Sequence, residues 1–88
     1  MPYVYLLKSL KDYKQYIGST INLEKRLEKH NRGEVKSTKY RRPLKLIGYE
    51  YFKTIQEASL FETRYKRSHN WLERRIRSGK FRVLIDGE

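Results

Sequence analysis

Between Tyr3 and Ser19 two aromatic and aliphatic runs, Tyr3-Val4-Tyr5-Leu6-Leu7 and Tyr16-Ile17, flank a polar segment that contains Asp12. This pattern predicts a β-hairpin. With a four-residue loop from Ser9 to Asp12, Lys8 pairs with Tyr13 and Tyr5 lies across from Tyr16, so both phenols share one face. Taken alone, such a pair is ordinary cross-strand packing. Leu44 to Phe52 (LKLIGYEYF) predicts a third strand. Gly48 within it marks a bulge, a close approach of backbone or ligand, or room for a helix.

Three stretches carry a helical period instead. After the hairpin, Thr20 or Asn22 caps a helix running to about Asn31, with Gly33 placed to stop it. Leu23 and Leu27 mark its buried stripe, and Arg26 and His30 fall on the same side. Thr54-Ile55-Gln56-Glu57 is a capping-box signature opening a second helix, whose stripe is Ala58, Phe61 and Tyr65. The cap accounts for Glu57. It does not account for Glu62, four residues after Ala58 on the buried side, where a carboxylate needs a cation or hydrogen bonds. Arg26 would satisfy it structurally and a divalent metal chemically. Asn70 to Ser78 reads as a last helix capped by Asn70 with Glu73, with Trp71, Leu72 and Ile76 inward and Arg74, Arg75 and Arg77 largely outward. Phe81 to Ile85 reads either as a short edge strand or as a packed tail. The fold expected is α+β, a small three-stranded antiparallel sheet flanked by helices, with residues 1–88 as one domain.

Length and charge narrow the function. Eighty-eight residues suffice for one modest core. With no cysteine there is neither a disulfide nor a thiolate metal site, so any metal must be held by oxygen or imidazole. The apolar runs are far shorter than a membrane span, and the expectation is a soluble, cytoplasmic protein that does not engage a membrane. Lys and Arg number 21 against 10 Asp and Glu, a formal charge of +11. The natural partner is a polyanion, and nucleic acid fits best because phosphate neutralisation drives sequence-independent binding. The segment from Gly33 to Pro43 concentrates Lys36, Lys39, Arg41 and Arg42, with Ser37, Thr38 and Tyr40 interleaved. It suits an exposed loop or short helical turn touching phosphates, or equally a solvated connector.

Tyr3-Val4-Tyr5 and Tyr16-Ile17-Gly18, followed in order by Arg26-Leu27-Glu28-Lys29-His30-Asn31, by Thr38 to Leu46 and by Glu57 to Glu62, resemble the GIY-YIG nuclease family, its small single-domain members in particular. The resemblance implies a divalent-metal-dependent endonuclease with Tyr5, Tyr16, Arg26, His30 and Glu62 as the catalytic set. Glu62 would hold one Mg²⁺ or Mn²⁺ ion and Arg26 would pair with the scissile phosphate. Tyr5 is preferred as base, relayed through His30, with Tyr16 orienting water or phosphate. Where some members carry a lysine just past the second signature, this chain has Ser19. No zinc finger or free recognition helix is present, so cleavage is expected to be weakly specific or guided by DNA structure, including branched or single-stranded forms, with RNA left open. The alternatives are a basic nucleic-acid-binding module of the same fold without catalysis, and an assembly protein whose charge serves another acidic partner.

Overall fold

A computed structural model of the chain describes residues 1–84. Strands β1 (Tyr3–Ser9) and β2 (Gln15–Thr20) form the hairpin, and α1 (Leu23–Arg32) and a 3₁₀ turn (Lys39–Arg41) follow. Then come β3 (Leu44–Tyr51), α2 (Ile55–Arg67), α3 (His69–Arg77) and β4 (Arg82–Val83). The sheet is antiparallel with order β2-β1-β3-β4, so it has four strands where the hydrophobic pattern predicts three. The added strand is the short edge β4, two residues paired with Gly48 and Tyr49. Ile85 lies outside the described residues.

Gly48 explains how β4 docks. A Cβ there would stand 2.4 Å from the Arg82 carbonyl oxygen and 2.8 Å from the Phe81 ring, so only glycine admits the edge strand. Pairing also slips at this point: Leu6 faces Gly48 and Leu7 faces Leu46, leaving Ile47 as a bulge residue.

In the hairpin, Lys8 pairs with Gln15, Leu7 with Tyr16 and Tyr5 with Gly18, which corrects the predicted facing of Tyr5 and Tyr16. The cause is Ser9. Its fully buried side chain accepts from the amides of Lys11 and Asp12 and donates to the Arg41 carbonyl, so β1 continues through it and the turn starts one residue late. Asp12 accepts from the Lys14 amide, and Tyr13 takes the left-handed conformation at φ 61°. A turn displaced by one residue moves the register by two, which preserves the faces. Tyr5 and Tyr16 remain on the same side, diagonal to one another.

Alternation then builds two cores. Tyr5, Leu7 and Leu44 pack with Tyr16, Leu46 and Tyr49 beneath Leu23 and Leu27 of α1. Val4, Leu6 and Phe52 pack on the other face with Ala58 and Tyr65 of α2, Leu72 of α3, and Phe81. Helix α1 is capped by Asn22, which accepts from the Lys25 amide, and ends at Gly33 with φ 81°. Thr54 caps α2 by accepting from the Glu57 amide. Helix α3 begins at His69 rather than at Asn70, after Ser68, with no side-chain cap bond.

Two inward assignments for α3 also change. Trp71 is 40% exposed, with the Arg64 guanidinium 5.2 Å from its ring centroid, and Ile76 is exposed as well. Arg75, read as outward, turns in to the buried Glu50 carboxylate, which it grips with both Nε and Nη2, while Tyr65 donates to the same carboxylate at 2.5 Å. Glu50 faces Val4 across the sheet, which puts it on the α2–α3 side. Burial and the bond to Glu50 push the Tyr65 phenol well above its usual range. Among the described residues no helix is long and apolar enough to cross a membrane.

Candidate active site

The sheet edge at β2 is where chemistry-bearing side chains meet. Tyr5, Tyr16 and Gly18 lie on the α1 face, and a Cβ at Gly18 would stand 2.5 Å from the Tyr5 hydroxyl and 3.1 Å from the Tyr16 ring. Glycine therefore lets the Tyr5 ring lie flat across the neighbouring strand and reach α1. There its hydroxyl stands 2.8 Å from Nε2 of His30 and 3.3 Å from Nε of Arg26. The Tyr5 and Tyr16 ring centroids are 6.3 Å apart, and Tyr16 sits edge-on to His30 at 5.1 Å.

Arg26 can only donate, so the Tyr5 oxygen accepts from it, and the same hydroxyl can give its proton to His30 Nε2. In that direction His30 carries its ring proton on Nδ1, 2.7 Å from Thr38 Oγ1, and Thr38 in turn reaches the Val35 carbonyl at 3.5 Å. Arg26, Tyr5, His30, Thr38 and Val35 thus form one hydrogen-bonded chain. His30 and Thr38 are fully buried.

Burial sets the protonation states. It depresses His30 to about 4, assisted by the nearby Arg26 charge, so the imidazole is neutral at pH 7. It pushes the Tyr5 phenol up to about 12 despite the opposing bond from Arg26. Arg26 is raised chiefly by its bond to Tyr5. Glu62 enters from the other face: Ser19, opposite Val4 in the register, points to α2 and donates to Glu62 Oε1 at 2.5 Å. Glu62 Oε2 accepts from Lys66 Nζ at 2.7 Å, and that ammonium is 5.9 Å from the Tyr16 ring centroid. The carboxylate is thus held at the edge strand by Ser19, with Lys66 between it and the Tyr16 ring. Its partners are Ser19 and Lys66 rather than Arg26.

Tyr5, Tyr16, Arg26 and His30 accordingly cluster on the α1 face at the β2 edge, and Glu62 meets the same edge strand from the α2 face through Ser19. The basic segment behaves differently residue by residue. Lys36, Lys39 and Arg42 are exposed, whereas Arg41 is tied to Asp12 at 3.1 Å and to the Gln15 carbonyl, bracing the hairpin. Lys39 and Arg42 line an open cleft of about 510 Å³ with Lys11, Asn31, Tyr40 and Pro43. Val35 and Thr38 are buried, so the segment is a packed connector as well as a basic surface.

Spacing along the chain assigns no site role to Thr38 or Ser19. Thr38 lies eight residues from His30 with no local period linking them, and Ser19 meets Glu62 only through the sheet. Lys66, four residues after Glu62 on one helix, was legible from spacing alone. Among the described residues no cluster of three or more His, Cys, Asp or Glu could hold a metal ion. A cation here would have Glu62 as its carboxylate ligand, with water and phosphate oxygen for the rest, a set that suits a hard divalent ion.

The comparisons with known proteins agree with this geometry. A family model described as the GIY-YIG catalytic domain matches residues 1–77. A UPF0213 protein of Pediococcus pentosaceus is 40% identical over 83 residues, covering 93% of this chain and 79% of the relative. A UPF0213 protein of Clostridium perfringens is 49% identical over 59 residues, covering 66% of this chain and 62% of the relative, so less than two thirds of that protein's length is spanned. One of Staphylococcus saprophyticus is 46% identical over 57 residues, 64% of this chain and 68% of the relative. With the model matched across most of its length and a tyrosine pair, arginine, histidine and glutamate gathered at one sheet edge, the chain belongs to the GIY-YIG nuclease family.

Proposed function

We propose that the protein is a divalent-metal-dependent endonuclease that hydrolyses DNA phosphodiester bonds with weak or structure-guided specificity, residues 1–88 acting as one catalytic unit. The observation that carries this reading is the Tyr5 hydroxyl held between Arg26 and a neutral, buried His30. Packing alone requires no such relay. Tyr5 is protonated in the free protein, because burial pushes it up to about 12. To act as base it must pass its proton to His30 Nε2 as it takes one from the attacking water, and His30 is neutral and in contact to receive it. The water oxygen bonds to phosphorus as the bond to the leaving alkoxide breaks.

Arg26 is half-buried at the mouth of the site, and its planar guanidinium suits two phosphate oxygens at once. Tyr16, half-buried beside His30, orients water or phosphate. Glu62 would hold Mg²⁺ or Mn²⁺, which supplies charge stabilisation on the phosphate when bound. Lys36, Lys39 and Arg42 would position the duplex through its backbone, and Arg41 acts mainly by holding the turn.

The test is to incubate parent and Glu62→Gln proteins with supercoiled, branched and single-stranded DNA and with RNA, in Mg²⁺, Mn²⁺ or chelator. Glu62→Gln keeps the shape and removes the charge. Metal-dependent cleavage should fall by a factor on the order of 100 or more while DNA affinity in chelator stays near the parent's. Glu57→Gln should retain most activity, because Glu57 serves the helix start. Cutting by folded Glu62→Gln at the parent's rate, with unchanged metal dependence, would end the assignment.

A further inference from the structure

The Glu62 carboxylate is occupied on both oxygens in the free protein. Ser19 donates to Oε1, and Lys66 Nζ sits against Oε2 as a full ion pair at 2.7 Å. The two partners are unlike. Ser19 is neutral and leaves Oε1 with lone-pair capacity, whereas Lys66 brings a positive charge to the oxygen a cation would use. The Glu62 side chain is 21% exposed and that of Lys66 is 49% exposed, so the ammonium lies on the solvent side of the carboxylate, on a flexible stem. Arg26 adds a further positive charge near the tyrosine pair. No other cluster of carboxylates or imidazoles among the described residues could compensate for a lost oxygen. A divalent ion approaching the free protein therefore meets one carboxylate already neutralised by a cation. Bound phosphates change the balance, since they attract Lys66 and offer oxygens of their own.

We propose that Lys66 is a tethered counter-cation that holds the Glu62 carboxylate in the free protein and yields it to a divalent ion when nucleic acid binds, so that the metal site is completed on the substrate. This rests on Glu62 being the metal ligand. Lys66 is a positioning residue here: it orients the carboxylate, and when displaced stays tethered beside the Tyr16 ring, where a phosphate oxygen can receive it.

The test is direct Mn²⁺ binding to the full chain, read from the electron paramagnetic resonance signal of the unbound ion, with no cleavage involved. Without DNA, Lys66→Met should bind Mn²⁺ about tenfold more tightly than the parent, since both the competing partner and its repulsion are gone. Lys66→Arg should stay near the parent, and Glu62→Gln/Lys66→Met should lose the gain. In a Tyr5→Phe background that does not cut, duplex DNA should tighten Mn²⁺ binding strongly when Lys66 is present and much less with Lys66→Met, after subtraction of ion held by DNA with Glu62→Gln protein. Lys66 is largely exposed, and circular dichroism checks that each variant is folded. Equal Mn²⁺ affinity in parent and Lys66→Met, while Glu62→Gln/Lys66→Met binds less, would overturn the role of Lys66 and leave Glu62 as ligand. Equal coupling to DNA with and without Lys66 would overturn it too. Binding unaffected by Glu62→Gln would remove both readings.

Discussion

Gly18→Ala isolates the geometry on which the relay depends. The new Cβ would stand 2.5 Å from the Tyr5 hydroxyl oxygen and 2.6 Å from Cζ, against an ordinary contact of 3.4–4 Å. The ring must therefore move by about 1 Å, a separation regained only by side-chain rotation because the Tyr5 backbone is paired on both sides, with Gly18 and with Tyr49. Tyr16, 3.1 Å from the same Cβ, blocks one direction. Lifting the ring by that amount stretches the 2.8 Å bond to His30 beyond hydrogen-bond length. Overpacking costs about 1–3 kcal/mol, and a buried imidazole nitrogen left without its partner another ~1–3 kcal/mol. A combined loss of about 2–6 kcal/mol is a large share of the stability of a domain this size, on the order of 5–10 kcal/mol. Urea denaturation should show the midpoint drop, and under conditions where the variant is folded its cleavage rate should fall by a factor on the order of 100, as for loss of a general base. A Gly18→Ala protein with the parent's midpoint and cutting rate would refute the reasoning.

His30 sets an acid limit on stability. Its depression from 6.5 to about 4 means that the folded state resists its protonation, so its contribution is full above pH 6.5 and is lost as pH falls towards 4, by at most about 3 kcal/mol. An equally steep acid loss in His30→Gln, measured by urea midpoints across that range, would contradict this. Arg75→Met should destabilise by about 3–5 kcal/mol, because Glu50 is left buried with Tyr65 alone, and Glu50→Gln/Arg75→Met should recover part of the loss in thermal melts. Neutralising Lys39 and Arg42 together should weaken duplex binding on all sequences alike and lower the salt slope by about one unit for each phosphate that is no longer neutralised. Arg41→Gln should lower the melting temperature more than it lowers duplex affinity, since its guanidinium braces Asp12 and Gln15.

Periodicity within a single element was readable from the chain alone. The period of two put Tyr5 and Tyr16 on one face of the hairpin, the i, i+3, i+4 spacing put Arg26 and His30 on the buried side of α1, and the cap at Thr54 separated Glu57 from Glu62. Side-chain direction along one helix or strand is local, so sequence determines it. Contacts between elements obey no such rule. Ser9, a turn residue by type, displaced the hairpin register through bonds to its own loop and to Arg41, and the faces survived because the shift was by two. The edge strand β4 exists because Gly48 leaves room for it, which two residues of sequence cannot announce. Arg75 reads as solvent-facing until the sheet presents Glu50 to it. Thr38 and Ser19 acquire roles only through contacts between elements, Thr38 because the connector after α1 folds back on His30 and Ser19 because β2 meets Glu62 of α2. In the hairpin, α1 and α2, spacing decided which side chains faced inward; in α3, and in every contact between elements, packing decided.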